Sequence, residues 1–316
     1  MDADAERALR RAAARAARAR TLRRRRLALA TGLVGTVLVL VAIVLPRGTG
    51  GGFSPPTPPP TATGPAPSQA RADNSAALAS APRTSERAAL LRLSRYGLPV
   101  FCGGRSKPLV ALTFDDGPGP YTHLVVNKLR KHHLRATFFL VGKQITAYPG
   151  LDRYEKPVAA VGDHTMTHPE LTALSESAMV QEIAGAKTLI ERTADQPVEL
   201  FRPPYGLHDG AVDREAESLG LVEVLWTVDS RDSLGADYAQ IAHNVIVGLH
   251  PGSIILMHEN RGQTVRALAT IIPALKRSHL TPVTLPTMLS SDPPTLRQLR
   301  AGGLGCGSAV SADGAS

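Results

Sequence analysis

The sequence predicts an α/β fold of parallel strands with helices packed outside them, starting near residue 100. Three observations point there. Seven short apolar runs read as strands: Leu109–Phe114, Ala136–Val141, Val158–Val161, Glu199–Phe201, Val222–Val228, Ser253–Met257 and Pro282–Leu285. Helical segments fall between them, near 122–132, 175–194, 210–219, 237–249 and 263–277. Within Ser175–Thr193, Met179, Val180, Ile183, Leu189 and Ile190 keep close to a 3.6-residue period. Strand–helix alternation over about 180 residues implies parallel strands. A barrel and a doubly wound sheet both fit, and either gathers functional residues at the C-terminal strand ends.

The segments before this region have different compositions. Residues 1–26 carry ten Arg against Asp2, Asp4 and Glu6, so +7 of the chain's net +9 sits there. A basic arm can bind nucleic acid, but the apolar run that abuts it favours a role in membrane topology instead. Leu27 to Leu45 is nineteen residues without a charge, closed by Pro46. As a helix at ~1.5 Å per residue it matches a bilayer core of ~30 Å. The expectation is a membrane anchor over 27–46, with the Arg-rich side cytoplasmic and the rest of the chain outside. The alternative is secretion after signal cleavage, but no small-x-small site comes after the apolar run. Residues 47–83 are largely Gly, Pro, Ser, Thr and Ala and read as a disordered linker. A short amphipathic helix comes next within 84–99, from Arg87 to Arg95, capped by Thr84 or Ser85 and stopped near Gly97. Residues 307–316 read as a disordered tail.

The chain has two cysteines, Cys102 and Cys306, and they flank the whole strand–helix region. Outside the cell they are candidates for one disulfide joining the start of a 100–306 domain to its end.

The chemistry collects at strand ends. The run Leu109-Val-Ala-Leu112 leads to Asp115 and Asp116, then Gly117-Pro118-Gly119-Pro120. Adjacent strand side chains point opposite ways, so both acids face one site only if the backbone bends, and Gly117 permits a bend. His164-Thr-Met-Thr-His168 spaces two imidazoles four apart, which would place them on one face of a helical turn. With one of the two acids they make a two-His, one-Asp metal set. Phe201-Arg-Pro-Pro-Tyr-Gly206 holds Arg202 in a stiff loop, where it can keep a carboxylate ionised. A backbone N–H near Tyr205 could donate to an oxyanion. Trp226, the only Trp, is either core packing or an apolar wall for a sugar ring; Asp229 and Asp232 come after it. Ile254-Ile-Leu-Met-His258 ends a buried strand on a candidate general acid. The other histidines, His208 among them, read as solvated or structural. The chain shows no phosphate-cradling Gly-rich loop, no nucleophilic Ser elbow and no HExxH pair.

In this order, Thr113-Phe-Asp-Asp116, His164-x-x-x-His168, Arg202-Pro-Pro-Tyr205, Asp229-Ser-Arg-Asp232 and Leu256-Met-His258 resemble the five motifs of the polysaccharide deacetylases. These are the NodB-homology domains of carbohydrate esterase family 4. The resemblance covers roughly residues 105–285. It implies a distorted (β/α) barrel and metal-dependent hydrolysis of acetyl groups from a polysaccharide. Asp115 would be the catalytic base, and Asp116, His164 and His168 the ligands of a divalent metal, zinc in this family. Arg202 would position Asp115, the Tyr205 N–H would assist the oxyanion, and Asp232 would tune His258, the catalytic acid. The family's fourth motif usually closes with Trp where this chain has Ser233. An outward-facing catalytic domain on a long linker points to peptidoglycan as partner, with chitin-like oligomers or acetyl-xylan as alternatives. A non-catalytic carbohydrate-binding module is a third reading, and no nucleic-acid partner is expected.

Overall fold

The computed structural model describes residues 85–306. The Arg-rich segment 1–26, the apolar span 27–46, the linker 47–83, Thr84 and the tail 307–316 lie outside the described residues. Among the described residues no helix is long and apolar enough to cross a membrane.

Eight strands form one sheet: β1 (Leu109–Gly117), β2 (Ala136–Leu140), β3 (Ala159–Asp163), β4 (Leu200–Phe201), β5 (Val222–Glu223), β6 (Val228–Asp229), β7 (Ile254–His258) and β8 (Thr281–Pro282). The order is β5-β4-β3-β2-β1-β7-β6, with β8 beside the start of β1, and every pairing is parallel. The sequence reads Val222–Val228 as one strand. The structure splits it, because Val222 and Glu223 pair with β4 while Val228 and Asp229 pair with β7. The two ends of the strand order are therefore joined by the four residues between β5 and β6. The sheet curls into a half-barrel whose seam carries no continuous ladder. Residues 100–102 lie in that seam, bridging Val100 to Val224 and Cys102 to Ser253.

Helices flank the sheet: α1 (85–94), α2 (Thr122–Lys131), α3 (Gly142–Ala147), α4 (Leu151–Glu155), α5 (Glu176–Ala194), α6 (Gly210–Ser218), α7 (Tyr238–Val247), α8 (Gly262–Arg277), α9 (Leu285–Ser291) and α10 (Leu296–Ala301). The predicted strand Pro282–Leu285 gives way after Pro282. Thr284 accepts a hydrogen bond from the Thr287 N–H and starts α9 instead. The four shorter helices α3, α4, α9 and α10 escape a periodicity reading, since fewer than two turns do not establish a 3.6-residue period. A local signal does exist for α10, the capping box Thr295-x-x-Gln298.

The period of two in the strands divides the core. Val110, Leu112 and Phe114 of β1 pack outward, in the cluster shared with α2, α5 and α8. Ala111 of β1, Phe139 of β2, Leu200 of β4 and Ile254 of β7 face inward. That inner face is filled by Leu90 and Leu93 of α1 and by Leu285, Met288 and Leu289 of α9. Helices from both ends of the domain thus plug the half-barrel, which leaves the C-terminal strand ends free to form a cavity.

Candidate active site and metal centre

The inward register of β1 runs Ala111, Thr113, Asp115. Asp115 is buried and lies beside His258 of β7. Continued strand geometry would send Asp116 outward. Asp116 instead takes φ 67°, a left-handed conformation, and both acids turn to one cavity. Asp115 Oδ2 and Asp116 Oδ1 each lie 3.8 Å from His164 Nε2. The bend therefore falls on Asp116 and not on Gly117. Gly117 is required by space, because a Cβ there would collide with the Glu259 carboxylate.

His164 and His168 do not share a helical turn, as their spacing predicts. They sit on an irregular loop after β3, with Thr165 at φ 69° and His168 at φ 65°, values a right-handed helix excludes. Side chains of the loop hold this path. Asp163 Oδ1 accepts the Thr165 N–H at 2.7 Å, and Thr165 Oγ1 accepts the His168 N–H at 3.0 Å. The result brings His168 Nε2 to 3.3 Å from Asp116 Oδ1.

This set passes a test of fit for a metal. His164 Nδ1 lies 2.7 Å from the Arg202 carbonyl oxygen, which only accepts. Nδ1 therefore carries the proton, and Nε2 presents its lone pair toward the carboxylates. Burial and then His164 lower the His168 pKa, so that ring is neutral as a ligand must be. Burial opposes charge on Asp116. His164, His258, His168 and the Asn260 amide outweigh it and hold its pKa below the ordinary carboxylate value. Donor atoms of Asp116, His164 and His168 all lie within 4.8 Å of one another. One carboxylate and two neutral imidazoles suit a transition metal with positions left open.

Arg202 is fully buried beneath this cluster. Its Nη1 donates to Asp115 Oδ1 and to Thr113 Oγ1, both at 2.8 Å. Nε and Nη2 donate to the carbonyls of Val224 and Leu225 at 3.0 and 3.2 Å. The guanidinium stacks 4.2 Å from the Phe139 ring centre. Burial pulls its pKa down and the Asp115 charge and hydrogen bond pull it back up; a guanidinium stays protonated in proteins, so Arg202 is the cation of the pair. Four oxygen acceptors fix this one side chain, and through it one oxygen of Asp115.

On the opposite side, His258 Nδ1 lies 2.6 Å from Asp232 Oδ1, and the His258 N–H donates to Asp232 Oδ2 at 2.8 Å. Thr264 Oγ1 also donates to Oδ2. Burial works against the imidazolium, but the Asp232 hydrogen bond and charge, then Asp115 and Asp116, raise the His258 pKa to about 9. Burial likewise opposes the Asp232 charge, and its bonds from His258 and Thr264 overcome that and lower its pKa. Asp232 keeps this geometry with Ser233 exposed beside it. Asp229 does not join; its Oδ1 accepts the Arg231 N–H and shapes the turn.

Tyr205 is 64% exposed at φ 62°, its ring edge-on to His168 with centroids 4.7 Å apart. Trp226 is half-buried, packed on the inner core cluster and against Gly206. Cys102 and Cys306 stand with Cα atoms 5.9 Å apart, inside the span of a disulfide. The sequence reading assigns no role to Thr113, Asn260 or Thr264. Thr113 has a signal, standing two residues before Asp115 on the same strand face. Asn260, whose Nδ2 donates to Asp116 Oδ2 at 3.1 Å, and Thr264 have none.

Comparison with known proteins agrees with this geometry. Residues 103–224 match the family model described as polysaccharide deacetylase. A peptidoglycan-N-acetylglucosamine deacetylase of Bacillus cereus is 35% identical over 199 residues, which are 61% of this chain and 72% of that protein. A chitooligosaccharide deacetylase of a Bradyrhizobium species is 36% identical over 187 residues, 53% of this chain and 84% of that protein. Among solved structures, a carbohydrate esterase family 4 pseudoenzyme from Bacillus anthracis superposes with TM-score 0.59. It is 28% identical and covers 63% of this chain and 70% of its own. The fold thus occurs in a protein described as a pseudoenzyme, so the fold by itself does not establish activity. With the strand-end residues in place and this likeness, the chain belongs to the polysaccharide deacetylase family, the NodB-homology proteins of carbohydrate esterase family 4.

Proposed function

We propose that this protein removes N-acetyl groups from a cell-wall glycan, peptidoglycan before chitin-like oligomers or acetyl-xylan, with zinc as its metal. The observation that carries this reading is the pairing of two differently held groups across one cavity. Asp115 is fixed by Arg202 on one side of the Asp116–His164–His168 set, and His258 is fixed by Asp232 on the other. A bound divalent cation supplies Lewis acidity toward the acetyl carbonyl and the attacking water.

The chain's own residues do the rest. Asp115 has one oxygen occupied by Arg202, and Oδ2 remains to accept the proton of the attacking water. Arg202 keeps that carboxylate oriented between approach and transfer. His258 bears its proton on the face toward the cavity, since Nδ1 is held by Asp232, and delivers it from Nε2 to the departing sugar amine. The Tyr205 N–H, in a loop stiffened by Pro203 and Pro204, meets the negative charge on the former carbonyl oxygen. The exposed Tyr205 ring borders the groove for the glycan, and Trp226 backs that loop. In the same reading, residues 27–46 anchor the protein in the cell membrane with the catalytic domain outside, and Cys102 and Cys306 form a disulfide.

The test is acetate release by the purified protein from peptidoglycan and from chitooligosaccharide, with zinc, with chelator and with Asp115→Asn. Zinc-dependent release that the substitution abolishes is expected, with peptidoglycan preferred. No release from either polymer by folded, zinc-loaded protein would sink the proposal.

A further inference from the structure

A second constellation lies on the outer face of the sheet. Strand alternation sends Val222 of β5 inward and Glu223 outward, against α6. Glu223 is 4% exposed, and both its carboxylate oxygens are buried without a hydrogen-bond partner. Two side chains close over it. His208 Nδ1 lies 3.6 Å from Glu223 Oε1 and 2.9 Å from Asp213 Oδ1 of α6. One donor atom from each of the three falls within 4.8 Å of the others. The 2.9 Å contact is a hydrogen bond; a tetrahedral ion with bonds of ~2.0–2.2 Å holds its ligand atoms roughly 3.4 Å apart, so the 3.6 Å separation already fits and the hydrogen-bonded pair need open by only about half an ångström.

Charge points the same way. Two carboxylates meet one imidazole here, and among the described residues neither forms an ion pair with Lys or Arg. Burial and then Asp213 push the Glu223 pKa up to about 9, so without an ion a proton answers its buried charge, and a bound cation would take that proton's place. The His208 and Asp213 side chains are 27% and 21% exposed, so an ion has a path in.

We infer that His208, Asp213 and Glu223 form a second divalent-metal site, of the transition-metal class that one imidazole and two carboxylates select. The site does not depend on the deacetylase reading. Its three ligands come from three elements: the loop that begins at Arg202, helix α6, and strand β5. Glu223 directly precedes Val224 and Leu225, whose carbonyls hold the Arg202 guanidinium. His208 ends the loop that starts with Arg202 and carries Tyr205. An ion in this site ties both walls of the Arg202 cradle together from behind.

The experiment is metal content by elemental analysis on the full-length chain, stripped with chelator, reloaded with zinc and desalted. Wild type is expected to hold two zinc ions per chain. His164→Ala/His168→Ala is expected to hold one, and adding His208→Ala to that variant leaves none. With Co2+ in place of zinc, the ligand-field absorption of the His164→Ala/His168→Ala protein should persist and then vanish on adding His208→Ala. Asp213→Asn keeps the side-chain shape and carries the same expectation if His208→Ala fails to fold. The inference is overturned if wild type holds one ion that the His164→Ala/His168→Ala change removes. It is equally overturned if the remaining ion survives both His208→Ala and Asp213→Asn.

Discussion

Replacing Asp232 by Asn keeps the shape of the side chain and removes a charge 2.6 Å from His258 Nδ1. The wild-type imidazole has its pKa raised to about 9 from an ordinary 6.5. That rise corresponds to about 3 kcal/mol of preference for the charged ring, at ~1.4 kcal/mol per unit. Burial alone pushes the other way, so without Asp232 the value falls to the ordinary range or below. Asp115 and Asp116 contribute less than Asp232 to that rise, and Asp116 would be engaged as a ligand once a cation is bound. At pH 8 the wild-type ring is mostly protonated and the variant's only a few per cent, so kcat drops ~30-fold there and far less at pH 6. The assay is a pH–rate profile of acetate release. Cation charge lowers both absolute values, so the readout is the shift of the basic limb between wild type and variant. Stability follows the same sign. The His258 value is raised in the folded state, so its contribution is full below about pH 6.5 and drains as pH climbs through about 9. Chemical denaturation should therefore separate the two proteins most near pH 6. A basic limb at the same pH in both would refute Asp232 as the source of the His258 shift and reduce it to a packing residue.

Three further changes test the rest of the site. Asp115→Asn should lower acetate release by ~10²–10⁴-fold while zinc content stays at the wild-type level, since Asp115 gives the metal no ligand in this reading. Arg202→Met strands a buried Asp115 carboxylate and should cost about 3–5 kcal/mol in urea unfolding, a far larger loss than Met brings by packing; an unfolding curve unmoved by it would count against the pairing. Cys102→Ser should lower unfolding stability by up to ~4–5 kcal/mol under oxidising conditions, because the proposed bridge would close a loop spanning a sequence separation of 204, and should make no difference after reduction.

Much of this site is legible in the sequence because short motifs and strand periodicity act locally. The acid pair of β1, the Arg202 loop and the terminal His258 of β7 each end an apolar run, and parallel strands must bring those ends together. Two features were not legible. The left-handed turns at Asp116, Thr165 and His168 carry no glycine to announce them; side-chain hydrogen bonds and tertiary packing impose them, and they overturn the helical-turn reading of the His pair. The split of the Val222–Val228 run is equally hidden. Five of its seven residues (Val222, Val224, Trp226, Thr227 and Val228) favour strand, and only the curl of the whole sheet decides that its halves pair with opposite edges. His208 shows the same limit, since its partners Asp213 and Glu223 are five and fifteen residues away on different elements.

The seam segment 100–102 has a consequence for how this domain can be held. It enters at the N-terminal edge of the sheet, where Cys102 bridges to Ser253 just ahead of β7, and the last described residue, Cys306, returns to the same place. The Arg87–Glu199 pair fastens the first described helix to that pole as well. The described chain therefore enters and leaves on the side away from Asp115, His164 and His258. Under the proposed anchoring, a leash fixed at this rear pole would pull on the plugged end of the half-barrel and leave the reactive rim facing away from its mooring. Tension along the chain would then load the seam and α1 and keep the groove out of its line.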